Sequence, residues 1–296
     1  MSKKYARFIT GLFCGVLTLS VAANALTPDQ EFSQIENRAL AQKPKLTADT
    51  LLSGSFMSDY ETYVNDQFVL RDFWVAGKAY VERVLGKKEN NDVYFCADGA
   101  LITRFDEPDA DRVSRNLDKV NQFAAAVEVP VTLGLIPTQA CVWSHKLPAN
   151  APNYDQKLVL DYVAENTALP TVDILSTLMA YKDEAIFYRT DHHWTSLGAY
   201  YGYVALADAL DYEPVPLSQY QKTTVSGSFY GTVFSSSGVR WVAPDEMDTY
   251  VPEEGIRVSS VTCDADWNPL VVEERQLYAE SSREKKDKYS RFLGGH

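Results

Sequence analysis

The sequence predicts an α/β fold, a parallel sheet flanked by helices with a β-hairpin insertion late in the chain. Three observations carry that expectation. From residue 92 onward, short runs of β-formers alternate with stretches of helical period, the order expected of βα units. The run "VPVTLGLIP", 129 to 137, is nearly continuous in apolar residues, as a strand covered on both faces must be. After residue 210 the alternation gives way to "VSGSFYGTVFSSSGVRWVAPDEMDTYVPEEGIRVSSVT", whose Gly, Ser and β-formers read as a hairpin rather than another βα unit. With 296 residues, 46% hydrophobic and 12% aromatic, the chain has ample material for a core.

The elements follow in order. The opening "MSKKYARFITGLFCGVLTLSVAANALTPDQEF" starts with Lys3, Lys4 and Arg7, runs apolar from Phe8 to Leu26 and holds no acid before Asp29. That is the anatomy of a secretory signal peptide or an N-terminal membrane anchor over residues 1–26. Ala23 and Ala25 frame an A-x-A cleavage site, while the apolar run approaches the roughly 20 residues that span a bilayer. Cleaved and anchored forms both place the body outside the cytoplasm. Residues 27–45 are polar with prolines at both ends and read as a linker. Residues 46–296 are expected to form the α/β domain. Within it, Phe56, Tyr60, Tyr63 and Val64 mark one helix, and Phe73, Val75, Tyr80, Val81 and Val84 a second, amphipathic one. "DVYFCADGALITRF" reads as two short strands around the Asp98-Gly99 turn. Then come a helix in "DADRVSRNLDKVNQFAAAV", the apolar strand, a helix in "YDQKLVLDYVAENTAL", a strand in "TVDIL" and a helix from Thr195 to Leu210.

Charge and cysteine usage exclude several classes. Lys and Arg number 28 against 40 Asp and Glu, a net charge of −12, and such a field repels a polyanion, so nucleic acid is not an expected partner. Residues 1 to 25 carry three basic groups and no acid, which leaves the exported body at −15. Cys14 lies in the apolar segment in a poor lipoprotein context, and Cys96, Cys141 and Cys263 have no C-x-x-C spacing. Neither a zinc nor a redox motif is supported, no cofactor is expected, and an odd count of three argues against a disulfide framework.

The stretch "FYRTDHHWTSLGAYYGY", 187 to 203, holds two of the four histidines. In an extended loop, residues i and i+2 point to one side, so Asp191 and His193 can converge while His192 turns away. Asp191 would then hold one imidazole nitrogen while the other acts as a base. Thr195 or Ser196 can cap the following helix, with Leu197, Tyr201 and Val204 as its buried stripe. In parallel sheets active groups gather on loops after strand carboxyl ends, where Thr138 and Gln139 also fall. Taken alone, Asp-x-His is most simply a polar helix entry. A metal reading needs a third ligand, His145 is the only other internal histidine, and His-x-x-x-His spacing is absent.

The composite pattern resembles a known family, the DHHW family of exported proteins, through Asp191-His192-His193-Trp194 and through "FSQIENRALAQKPKL", "DQFVLRD", "DVYFCADGALI", "YRTDHHWTSLGA", "SGSFYGTVFSSSGVR" and "DKYSRFLGGH". That family is similar to the alginate O-acetylation proteins with their SGNH-hydrolase-like domain. The resemblance implies that Asp191 orients His193, the general base, with His192 at the variable position; His192, Trp194, Tyr188, Arg189, Thr138 and Gln139 are candidate substrate-binding residues. It further implies action on O-acyl groups of cell-surface polysaccharide, by acetyl transfer or ester hydrolysis, with an acyl donor or a membrane-bound acyl-transfer partner. One element departs from the pattern. The family's nucleophile stands in an Asp-Ser block downstream of "DKYSRFLGGH", whereas this sequence contains no Asp-Ser dipeptide and ends at His296; G-x-S-x-G is absent too. The expectation is a C-terminally truncated domain with an unpaired sheet edge, inactive as a serine acyltransferase. Ser228 and Ser235 to Ser237 read as turn residues. The competing class is a non-catalytic carbohydrate-binding or envelope-scaffold protein, to which 18 Tyr and 5 Trp would suit.

Overall fold

The computed structural model describes residues 2–33, 35–36, 38–252, 258–275 and 277–278. The chain divides into two compact units, Met1–Gly86 and Lys87–His296. The stretch 46–86, expected in the α/β domain, therefore groups with the N-terminal segment.

The first unit opens with helix α1, Lys3–Leu26, in which no residue is buried. It is long and apolar enough to cross a membrane, with a mean hydropathy of 1.8 over its best window. Residues 27–45 are more than a linker. Short strands β1, Phe32–Ser33, and β2, Arg38–Ala39, pair antiparallel, and three helices follow: α2, Ala48–Leu52, α3, Ser55–Asp66, and α4, Arg71–Val84. The motifs "FSQIENRAL" and "DQFVLRD" meet in an ionic cluster. The Arg38 fork donates to both Asp66 oxygens at 2.6 and 2.9 Å, the Ala41 N–H adds a bond at 2.8 Å, and Glu36 accepts from Arg38 and Arg71. Such a bidentate pair fixes orientation as well as charge. It holds the Asp66 carboxyl below its ordinary range, the Arg38 hydrogen bond outweighing the opposing effect of burial.

The second unit begins with an antiparallel sheet of β3, Glu89–Asn90, β4, Val93–Phe95, and β5, Leu101–Thr103. The Asp98-Gly99 turn between β4 and β5 falls as expected, both residues at positive φ, 58° and 71°. Helix α5, Ala110–Ala126, is capped by Asp109, whose side chain accepts from the Arg112 N–H. The apolar run then yields only β6, Leu133–Gly134, pairing in parallel with β7, Thr171–Val172. The expected strand over 129–137 is shortened because Pro130 and Pro137 supply no ladder donor. The flanks are not covered either, since Val129 and Ile136 are 64% and 54% exposed. Between and after these strands lie α6, Gln139–Val142, α7, Gln156–Asn166, α8, Ile174–Ala180, and α9, Ser196–Ala209. Ile102, Val142, Trp143, Leu178 and Ile186 make the centre of the main core.

The hairpin expected after residue 210 is present as β8, Tyr220–Phe229, antiparallel to β9, Asp245–Pro252. Its connection carries a short helix, α10, Thr232–Ser237. Ser235, Ser236 and Ser237 are thus helical rather than turn residues, and Ser228 lies in β8. A second hairpin joins β10, Val258–Cys263, to β11, Pro269–Arg275. The four cysteines stand as free thiols. The segment "REKKDKYSRFLGGH" lies outside the described residues, as does the sheet edge expected from it.

Candidate functional site

Asp191, His192 and His193 form the tip of a narrow hairpin between α8 and α9. Thr195 N–H donates to Ile186 O at 2.9 Å, Tyr188 N–H to His193 O at 3.3 Å, and Phe187 opposes Trp194. On the entry side, Leu101 N–H donates to Arg189 O at 2.7 Å, so β5 holds the incoming strand. On the exit side Thr195 caps α9, its side chain accepting from Gly198 N–H. Of the expected Leu197, Tyr201 and Val204 stripe, Tyr201 is buried in the main core and Leu197 packs against it, while the surface directly behind the loop is built of the small residues Gly198 and Gly202. A Cβ on Gly202 would sit 2.8 Å from the Trp194 ring, and one on Gly198 would sit 2.1 Å from Ile186 O. Trp194 packs against the main core, so the fourth residue of the motif anchors the loop from beneath.

The carboxylate is fully engaged. Asp191 is 1% exposed. Its Oδ1 accepts from the His193 N–H at 3.0 Å and from His193 Nδ1 at 2.5 Å, while Oδ2 accepts from the Thr232 N–H at 2.7 Å and the Thr232 hydroxyl at 3.0 Å. Burial works against its ionisation, but the backbone donors of Thr232 and His193 and the adjoining imidazole together hold the carboxyl below the ordinary range. An ionised acid receiving Nδ1–H fixes the His193 tautomer and places the basic lone pair on Nε2. The i, i+2 convergence thus occurs, in a turned rather than extended loop.

That turn also changes the fate of His192. It does not swing away: its ring lies on that of His193, centroids 3.9 Å apart, and its Nδ1 is 2.9 Å from the Thr232 hydroxyl. Because that hydroxyl donates to Asp191, it accepts from His192 Nδ1–H, and one carboxylate orders both imidazoles. Partial burial lowers the His192 pKa from its ordinary value. The close approach of α10 requires Gly231, where a Cβ would fall 2.2 Å from Asp191 Oδ2. Ligand atoms of Asp191, His192 and His193 all lie within 4.8 Å of one another, so the third ligand missing from the histidine count is the acid itself. Both oxygens of that acid already accept donors, an arrangement suited to an orienting acid more than to a metal ligand.

Asp245, which sequence reasoning missed, holds the hairpin from β9. It is 5% exposed and accepts from the Arg189 N–H and Nε, each at 3.1 Å, and from the Thr190 N–H and hydroxyl at 2.8 and 2.7 Å. Arg189 is therefore committed to a structural ion pair. Tyr188 is 2% exposed and its ring meets Phe229 edge-on, a core position rather than a substrate-facing one. Thr138, Gln139 and His192 do come together, lining a groove of about 510 Å³ with Arg104, Phe105 and Thr232. The Thr138 N–H and hydroxyl both reach Gln156 Oε1. Gln139 Nε2 donates to Tyr188 O at 2.6 Å, while its Oε1 is buried with no donor among the described residues. Thr232 was missed because its partner Asp191 lies 41 residues away in sequence.

Fold and site together define an α/β protein with an Asp-His pair, its acid buried and its imidazole half exposed, on the loop between α8 and α9. The sequence profile of the DHHW protein family matches residues 135–296, and the chain belongs to that family. Among solved structures it is similar to a DHHW family protein from Eubacterium siraeum, with 23% identity over 70% of this chain and 69% of that one and a TM-score of 0.56. PatB1 of Bacillus cereus shares 16% identity over 66% and 70% of the two chains, with a TM-score of 0.51. The O-acetyltransferase domain of Pseudomonas putida AlgJ shares 21% over 55% and 66%, with a TM-score of 0.43. No curated protein sequence matches the chain.

Proposed function

We propose that the chain is an exported SGNH-like protein acting on O-acyl groups, chiefly acetyl, of cell-surface polysaccharide, by acetyl transfer or ester hydrolysis. The observation that carries the reading is the buried Asp191 carboxylate gripping His193 Nδ1. In the proposed reaction, His193 Nε2 takes the proton of an attacking hydroxyl as its oxygen bonds to the acyl carbon. The same proton passes to the departing alkoxide when the tetrahedral intermediate collapses. The groove beside His192 would take the glycan. The substrate class rests on the motif resemblance to alginate O-acetylation proteins, and export rests on α1. An acyl donor or membrane-bound transfer partner would supply the acetyl group in the transfer direction.

The attacking oxygen is proposed to be water in this chain. Among the described residues, Ser235, Ser236 and Ser237 each donate their hydroxyls to helix carbonyls. Hydrolysis of an activated acetyl ester by the purified chain should then be slow, should fall at least about 10-fold in His193→Ala and Asp191→Asn, and should leave no acetylated serine by mass spectrometry. Equal rates in all three proteins would remove the pair from the chemistry; glycan retention alongside them would favour the carbohydrate-binding reading. A stoichiometric burst with acetyl on a serine would overturn the water route and complete a triad.

A further inference from the structure

Helix α4 turns its apolar side outward. Phe73, Trp74, Tyr80, Val81, Val84 and Leu85 are between 56% and 81% exposed, whereas Ala79, on the opposite side, is fully buried. At about 100° per residue these six fall in one stripe roughly 140° wide, centred on Gly77. An amphipathic helix normally buries such a stripe, so the face calls for a cover.

Three observations say what the cover is. The membrane-length helix α1 is bound directly to the start of α4, since Asn24, three residues from the end of α1, accepts the Val69 N–H on its Oδ1 at 2.8 Å. Tyr63 on α3 donates to Asp29 just beyond α1, a second tie across the same junction. Where α1 leaves a bilayer, α4 therefore begins. The stripe is also rich in Phe, Trp and Tyr, the side chains whose flat amphipathic rings settle at the headgroup level. Finally, Lys78 borders the stripe on the helical wheel and Lys87 and Lys88 follow the helix in sequence, in a chain whose net charge is −12. A local basic excess in an acidic protein favours a surface of anionic lipid.

We propose that α4 lies flat in the interfacial layer of the membrane, its Phe73–Leu85 stripe among the upper acyl chains and Lys78 at the phosphates. The protein is thereby held at the bilayer by a crossing helix and an in-plane helix. This placement is independent of the acyl chemistry proposed above. The test uses the full chain reconstituted in vesicles of phosphatidylglycerol and phosphatidylcholine, one to three, with lipids brominated close to the headgroup end of the acyl chain. Trp74 is the reporter. Brominated lipid is expected to quench a component of tryptophan emission that is missing in Trp74→Phe, and Val84→Glu, in the same stripe, should reduce that component. Quenching that is identical in wild type and Trp74→Phe would overturn the proposal and show that protein, from this chain, a second copy or a partner, covers the stripe.

Discussion

At the scale of single residues, the site depends on contacts too tight for any added atom. Asp191 is ordered by four donors, and two of them come from Thr232, immediately after Gly231. The Gly231 backbone is at φ −92°, a conformation open to any residue, so the glycine is required for space and not for its dihedral. In Gly231→Ala the new methyl would meet Asp191 Cβ and Oδ2, both at 2.2 Å, and either α10 or the carboxylate must move. The expected outcome is a loss of about 1–3 kcal/mol in stability, read by urea unfolding, together with an ester rate as low as that of Asp191→Asn. Retention of the wild-type rate would show that the carboxylate tolerates displacement. The convergence of Asp191 and His193 was legible from spacing, and their reading as an orienting acid and a base came from the family resemblance. The role of His192 was not, because it depends on a threonine 40 residues away.

At the scale of elements, the hairpin that carries Asp191 and His193 is clamped by β9. Asp245 at the start of that strand receives four donors from Arg189 and Thr190, while the Thr190 hydroxyl accepts from Gly231 N–H and Thr190 O accepts from Phe234 N–H. One acid therefore joins the β8–β9 hairpin, α10 and the loop. Asp245→Ala would strand the buried Thr190 donors, and breaking such a partly buried ionic cluster costs about 2–4 kcal/mol. We expect a lower unfolding midpoint and an ester rate reduced even at temperatures where the variant stays folded. Asp245→Asn, which keeps two acceptor lone pairs, should recover part of both. An unchanged rate in the folded Ala variant would mean that the loop holds its shape without β9. The hairpin was readable from its β-formers, and the clamp was not, since nothing in "APDEMD" separates Asp245 from a surface acid.

At the scale of the whole molecule, the carboxyls and the imidazole with shifted pKa values share one sign of pH dependence below neutrality. Asp66, Asp173 and Asp191 all have carboxyls held below their ordinary value, the first two chiefly by hydrogen bonds from Arg38 and Ser176 and the third by donors that overcome its burial. A carboxyl depressed in the fold stabilises it above the unfolded value, about 3.9, and that contribution is lost as the pH falls through the lower folded value. His192, depressed by burial, acts in the same direction nearer neutrality, because the unfolded chain takes up its proton first as the pH drops below about 6.5. Urea midpoints should therefore be highest near neutral pH and decline progressively toward pH 3, more gently in Asp191→Asn. A midpoint that rises on acidification would contradict this linkage, even though acid also relieves the repulsion within a chain of net charge −12.

Periodicity and spacing are local properties, and what depends on them was settled by the sequence. The apolar N-terminal helix, the two amphipathic helices of 55–84, the Asp98-Gly99 turn, the capped helix after the motif and the convergence of Asp191 with His193 all follow from neighbours a few residues apart. Tertiary structure settled what depends on distant partners. The apolar run at 129–137 became a two-residue strand because proline removed its donors and few ladder partners met it. Tyr188, Arg189 and Trp194 became supports because Phe229, Asp245 and Gly202 came to face them. The division after Gly86 likewise arose from contacts and from no break in composition. A residue's type states which bonds it can make; the packing of remote segments decides which of those bonds are available.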